Sequence, residues 1–176
     1  MYKTQKNFVA IIPARAGSKE VKKKNIALIN GHPLLSYSIE AAKRSKFITN
    51  IFVSTDGKDI AKIAERYGAI IIRRPKGLSN DAAQIEPVIL HAVRYIEKIH
   101  KEKIDNIVLL QPTSPLRRVD DLNNAINKFI KVLLPLPVSP IIPTKSPFLI
   151  VIDIFDNENS FLVGYEKDKF AILISF

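Results

Sequence analysis

Four short apolar runs, each followed by a segment with apolar residues at helical spacing, constrain this chain more than any other feature. The runs lie at 8–13, 51–55, 69–73 and 106–111. The segments 33–45, 57–67, 84–101 and 120–130 read as helices because apolar residues recur every three or four positions. The expected inward faces are Leu34, Leu35, Ile39 and Ala42 in the first helix, and Ile60, Ile63, Ala64 and Tyr67 in the second. Gly68 follows the second helix as a natural C′ residue. The third helix is expected to bury Val88, His91 or Ala92, Tyr95 and Ile99, and the fourth Leu122, Ala125, Ile126 and Phe129. Such strand–helix alternation predicts right-handed β-α-β units, hence an α/β fold with a mostly parallel sheet. Ligands of such sheets bind beyond the carboxyl ends of the strands. That rule puts 13–24, 54–56, 73–81 and 111–117 on one rim.

The rim's first loop has the composition of an anion site. The apolar strand breaks at Pro13 into Ala14-Arg15-Ala16-Gly17-Ser18-Lys19, and Lys22-Lys23-Lys24-Asn25 follow. Small residues leave backbone N–H groups approachable, and several cations favour a polyphosphate. Neither G-x-x-x-x-G-K-[ST] nor G-x-G-x-x-G occurs, so this is neither a Walker A loop nor a dinucleotide fingerprint. The net charge of +10 admits a nucleic-acid partner or a Lys-rich surface with one focused anion site. The absence of Trp, the lack of a nucleic-acid-binding motif and the spread of the cations favour the second.

At 176 residues, 47% hydrophobic and 25% charged, the chain suits a single globular domain. It has no cysteine, which excludes disulfides, thiolate metal sites and a cysteine nucleophile and suits a reducing cytoplasm. The apolar stretch 8–12 is too short for a secretory leader, and 132–143 is too short and too proline-broken to span a bilayer. A cytoplasmic location with no membrane partner is therefore expected. After residue 131 the character changes, with Pro135, Pro137, Pro140, Pro143 and Pro147 in close succession. Proline removes ladder donors, so this stretch is not a regular central strand. Residues 148–153 and 161–165 read as a hairpin around Asn157-Glu158-Asn159.

Beyond the first loop, Asn30-Gly31-His32-Pro33-Leu34, Ser54-Thr55-Asp56, Arg74-Pro75 with Leu78-Ser79-Asn80-Asp81, and Leu110-Gln111-Pro112-Thr113-Ser114-Pro115-Leu116-Arg117 follow in order. This series resembles the cytidylyltransferases that activate sialic acid and related nine-carbon acidic sugars. The resemblance covers roughly 8–130 and implies a three-layer, Rossmann-like nucleotidyltransferase fold. It divides the chain into a nucleotide-binding α/β core, 1–131, and an incomplete remainder of the same domain, 132–176. The activity it implies is transfer of CMP from CTP to a sialic, legionaminic or pseudaminic type of acid, with release of pyrophosphate, for cell-surface glycan or lipopolysaccharide synthesis.

By the same resemblance Ala14, Arg15, Ala16, Gly17, Ser18, Lys19, Lys24, Asn25 and Arg74 would bind the nucleotide, with Arg15 and Lys24 catalytic. Gln111 and Arg117 would face the sugar; the competing expectations are a turn-stabilising role for Gln111, a surface position beside Arg73 for Arg74, and a pair with Asp120 or Asp121 for Arg117. Asp81 is expected to cap the next helix, Lys22 and Lys23 to be solvated, His91 to be packed on its helix, and His32 and His100 to lie at the surface. Mg2+ is the implied cofactor, but its carboxylate ligands and a dimerisation region belong to a part of the family beyond this sequence. The metal ligands are therefore not identifiable here, the relatives' homodimer is left open, and a catalytically poor chain is expected. Departures from the family pattern are Glu20 beside the phosphate loop and Gln84-Ile85-Glu86 where hydroxyl-rich residues are common. Alternative readings are a non-catalytic nucleotide-binding remnant and an enzyme like the eight-carbon Kdo synthetase, whose loop differs from Lys23-Lys24-Asn25-Ile26.

Overall fold

A computed structural model describes residues 8–17, 21, 23–80, 83–101, 104, 106–133, 148–152, 162–166 and 169–173. In chain order the elements are β1 (Phe8–Pro13), a 3-10 turn (Lys24–Ile26), β2 (Leu28–Ile29), β3 (His32–Pro33), α1 (Leu34–Arg44) and β4 (Ile48–Thr55). There follow α2 (Lys58–Arg66), β5 (Ile70–Arg73), a 3-10 turn (Lys76–Leu78), α3 (Ile85–His100), β6 (Asn106–Leu110) and α4 (Val119–Leu133). Strands β7 (Phe148–Ile152), β8 (Leu162–Glu166) and β9 (Lys169–Leu173) complete the set. The main sheet has the order β5-β4-β1-β6-β7, and every neighbouring pair is parallel. The predicted α/β fold with a parallel sheet is thus the one observed.

Alternation along the central strand explains the layers. A strand's side chains point to opposite faces in turn. Phe8, Ala10 and Ile12 meet Leu35, Ile39 and Ala42 of α1, Ile60 and Ala64 of α2, and Leu122, Ile126 and Phe129 of α4. Val9 and Ile11 meet Ile89, Ala92, Val93 and Ile96 of α3. Both faces of β1 are therefore covered, which is why its sequence is a continuous apolar run rather than an alternating one. Phe8 sits edge-on to both Phe47 and Phe129, with ring centroids 6.3 and 6.2 Å away.

Two expectations need correction, and one element is new. The segment 148–152 lies alongside β8, but it also joins the main sheet beside β6, and β8 pairs antiparallel with β9. The apolar residues are β-branched and aromatic in both places, so local pattern could not decide which edge each would join. Helix α3 buries Val88, Ile89, Ala92, Val93 and Ile96, whereas Ile99 is 55% exposed. Val88, Ala92 and Tyr95 face inward as expected, but the inward face extends to Ile89, Val93 and Ile96 and stops short of Ile99. The short β2–β3 hairpin was not anticipated as a hairpin, although Asn30 and Gly31 take the positive φ values of 48° and 79°. Asn-Gly is the strongest local signal for such a turn. Gly68, at φ 89°, terminates α2 as expected.

Candidate active site

Because the strands are parallel, the loops after Pro13, Thr55, Arg73 and Leu110 emerge on one edge of the sheet. Between them lies a cleft of ≈ 540 Å³, within the range of about 300–1,000 Å³ usual for small-ligand sites. Arg15, Lys24, Asn25, Arg74 and Gln111 all line it, and Ile85 and Val88 of α3 supply an apolar wall. Five residues separated by up to ninety-six positions in sequence are thus brought to one place by strand order alone. Ser18 and Lys19 lie outside the described residues, as do Glu20 and Lys22.

The first loop is pinned at each step. The Ala14 amide donates to the Ser54 carbonyl at 2.9 Å, and the Ala16 amide to Asp56 Oδ1 at 2.8 Å. Asn25 is 7% exposed, and its Nδ2 donates to the Arg15 carbonyl at 2.9 Å. Gly57 lets the loop approach α2: a Cβ there would lie 3.1 Å from Ala16 Cβ and from Ile60 Cδ1. The expectation that Ala14 and Ala16 offer backbone donors to a phosphate is therefore corrected, because both amides are engaged within the protein. What the cleft presents to an anion is chiefly its three cations. Lys23 precedes the 3-10 turn in the left-handed region at φ 57° and pairs with Asp59 at 3.6 Å, both side chains being well exposed. Such a pair contributes little, so Lys23 acts through its backbone, by turning the chain to present Lys24 and Asn25.

Arg74 is 8% exposed. Its Nε donates to Ser54 Oγ at 3.2 Å and its Nη2 to the Ser54 carbonyl at 2.7 Å. Burial lowers its pKa, the charge of Asp56 raises it, and Arg15 lowers it again. A guanidinium remains charged under such pressure, so Arg74 is a fixed positive floor beneath the cleft. His91 has its pKa lowered by burial and by the charge of Arg74, and its Nδ1 is buried with no hydrogen-bond partner among the described residues.

Gln111 lies one residue past β6 and reaches the cleft. Arg117 does not: it lines a second cavity of ≈ 450 Å³ beside α1, with Ser36, Tyr37 and Ala41. Its Nη1 donates to Ser38 Oγ at 3.0 Å and its Nη2 to the Gln111 carbonyl at 3.2 Å. Its side chain thus lies off the cleft that Gln111 reaches, and Arg118 approaches Asp120 at 3.9 Å. Asp81 lies outside the described residues, and the N-cap position of α3 is taken by Gln84. Ser54 falls on the rim expected from the strand ends and Ile85 in the Gln84-Ile85-Glu86 stretch noted as a departure, whereas Val88, expected only as a buried residue of α3, also lines the cleft.

Among the described residues no group of three or more His, Asp or Glu could hold a metal ion. Asp56 is the carboxylate nearest this network, and it accepts the Ala16 amide beside a buried arginine. No described helix is long and apolar enough to cross a membrane.

Comparison with known proteins places the chain in a family. The family model described as cytidylyltransferase matches residues 9–136. The chain is 40% identical over 124 residues to the CMP-N,N'-diacetyllegionaminic acid synthase of Legionella pneumophila, covering 68% of this chain and 51% of that protein. It is 38% identical over 122 residues to the N-acylneuraminate cytidylyltransferase of Escherichia coli, covering 69% of this chain and 28% of the other. Among solved structures it is similar to a CMP:2-keto-3-deoxy-manno-octonic acid synthetase complexed with CTP, with a TM-score of 0.59 and 23% identity over 73% of this chain and 49% of that one. That last likeness shows a shared fold. The chain spans about half the length, or less, of these three proteins.

Proposed function

Because the chain belongs to the cytidylyltransferase family, we propose that it transfers CMP from CTP to a nine-carbon acidic sugar of the sialic, legionaminic or pseudaminic type, in the synthesis of cell-surface glycans. The observation that carries this reading is the convergence of Arg15, Lys24, Asn25, Arg74 and Gln111 on one cleft at the carboxyl edge of the sheet. In the reaction the sugar's anomeric hydroxyl attacks the α-phosphorus of CTP. The new O–P bond forms as the bond to the β-phosphate oxygen breaks, pyrophosphate leaves, and the hydroxyl proton passes to solvent. Charge grows on the non-bridging and leaving oxygens, so positioned cations supply most of the help a protein can give.

Arg15 clamps phosphate oxygens with its planar fork, and Lys24 acts as a movable point charge opposite it. Ala14, Ala16 and Gly17, with Ser18 and Lys19 next in sequence, form the loop that carries Arg15. Arg74 adds a fixed field from below, Asn25 holds the loop's shape, and Gln111 hydrogen-bonds the sugar. Magnesium, expected from the family resemblance, would arrive coordinated by the triphosphate, since Mg2+ is commonly held by substrate phosphates with few protein ligands. No step above depends on it. The sequence family and the absence of any described apolar spanning helix support a soluble, cytoplasmic setting.

The test is thermal stability with nucleotides. CTP is expected to raise the melting temperature, ATP to raise it less, and Lys24→Ala to remove the CTP effect. A pyrophosphate-release assay with CTP, magnesium and a panel of acidic sugars then identifies the acceptor. Equal shifts with every triphosphate would mean a nonspecific polyanion site and would overturn the reading.

A further inference from the structure

Arg117, Ser38 and the Gln111 carbonyl form a closed triangle of hydrogen bonds on the face of the sheet opposite the cleft. Ser38 Oγ donates to the Gln111 carbonyl at 3.1 Å, and Arg117 donates to both. Ser38 is fully buried and Arg117 is 7% exposed. The register of β6 with β7 ends at Leu110. The Gln111 carbonyl is therefore the first acceptor past the ladder, and a buried carbonyl left without a donor is costly. Side-chain donors take over where the neighbouring strand stops.

This triangle sits behind the residue that faces the ligand. Val108 and Leu110 pack on the α1 and α4 face, whereas Leu109 packs on the α3 face. Alternation then sends the Gln111 side chain towards α3, into the cleft lined by Ile85 and Val88, while its carbonyl is gripped from the α1 side. Arg117 also closes its own loop, with its backbone amide 3.4 Å from the Ser114 carbonyl. The segment 111–117 thus leaves the strand, runs through Pro112, Thr113 and Pro115, and returns its last side chain to the first peptide. Pro112 and Thr113 line the cleft beside Gln111.

We propose that Arg117 and Ser38 are positioning residues: by clamping the Gln111 peptide they set the Gln111 side chain and the Pro112–Thr113 wall at the distance that accepts the sugar. The inference rests on the reading that this cleft takes a cytidine nucleotide and an acidic sugar. It replaces direct contact between Arg117 and the sugar with action through Gln111.

The experiment is a double-mutant cycle on the full chain, read by calorimetric affinity for CMP and for a CMP–acidic-sugar conjugate (CMP-N-acetylneuraminate). Charge-assisted hydrogen bonds of this kind justify an expected loss of about tenfold in conjugate affinity for Arg117→Met. CMP affinity should stay within about twofold, because the nucleotide end is held at Arg15 and Lys24 and distant sites act independently. Gln111→Ala should lose conjugate affinity to a similar degree, and the double variant should be no worse than either single one. Additive losses in the double variant would overturn the proposal and return Arg117 to independent ligand contact. Retention of full conjugate affinity by Arg117→Met would also overturn it. Should Arg117→Met not fold, Ser38→Ala, which removes one hydroxyl, must show the same selective loss in smaller measure; an unchanged conjugate affinity there refutes the proposal. A wild-type chain that binds CMP but gains nothing from the sugar would instead refute the acidic-sugar reading, and this inference with it.

Discussion

Asp56 is held between two requirements beside the first loop. Its Oδ1 fixes the Ala16 amide at 2.8 Å, and its charge partly offsets the buried Arg74. It also places a negative charge near the proposed phosphate position. Asp56→Asn can keep the hydrogen bond through the amide oxygen while removing the charge, so CTP should bind about three- to tenfold tighter at low salt, an effect of roughly 1 kcal/mol. Calorimetry with and without magnesium decides the point, and weaker binding of the variant only with magnesium would mark Asp56 as a metal ligand. His91 gives a second prediction at this scale. Its folded pKa lies below the ordinary value of 6.5, first by burial and then by Arg74. The unfolded chain therefore takes up the proton first as pH falls, and stability is full above that value and declines below it. Denaturant midpoints measured from neutral pH down to mildly acidic pH should fall less steeply for His91→Gln than for the parent chain.

At the scale of elements, β1 is the member on which the others depend. Phe8 is 1% exposed and contacts Phe47 and Phe129 edge-on, joining β1 to the start of β4 and to α4. Phe8→Ala should cost about 3–5 kcal/mol, as large-to-small core changes of aromatic residues do, read from the urea midpoint. A loss below 1 kcal/mol would mean that α4 does not pack there in solution. Gly57 is the opposite case, since its smallness serves a close approach and not the core. Gly57→Ala must push Ala16 or Ile60 by a few tenths of an ångström, which should weaken CTP binding more than it lowers stability, and the comparison of calorimetry with thermal melts checks it. Strand and helix positions were legible because β1, β4, β5 and β6 are apolar runs and α1 and α4 have one clean apolar face. The face of α3 was not, because Val88, Ile89, Val93, Tyr95, Ile96 and Ile99 form nearly continuous apolar positions. Only the sheet on one side and solvent on the other choose among them.

For the whole molecule the question is where a net charge of +10 acts. Arg15, Lys24 and Arg74 concentrate it at one cleft, whereas a nucleic-acid interface needs an extended basic face. CTP affinity should therefore fall as salt rises, since screening acts over a Debye length of about 10 Å at 0.1 M. Duplex DNA should fail to displace CTP under the same conditions; efficient displacement would show that the basic surface is a nucleic-acid site. The sequence alone determined the parallel α/β class, the identity of the rim loops and the cations on them. These follow from residue periodicity and from the rule that parallel strands end on one edge, both of which are local or topological. Tertiary structure decided which groups remain available there. It spent the amides of Ala14 and Ala16 on Ser54 and Asp56, buried Arg74 against Ser54, and placed Arg117 on the α1 side to grip the Gln111 carbonyl. The reason is that a hydrogen bond between segments forty or seventy positions apart depends on how sheet and helices stack, and no spacing along the chain encodes that distance.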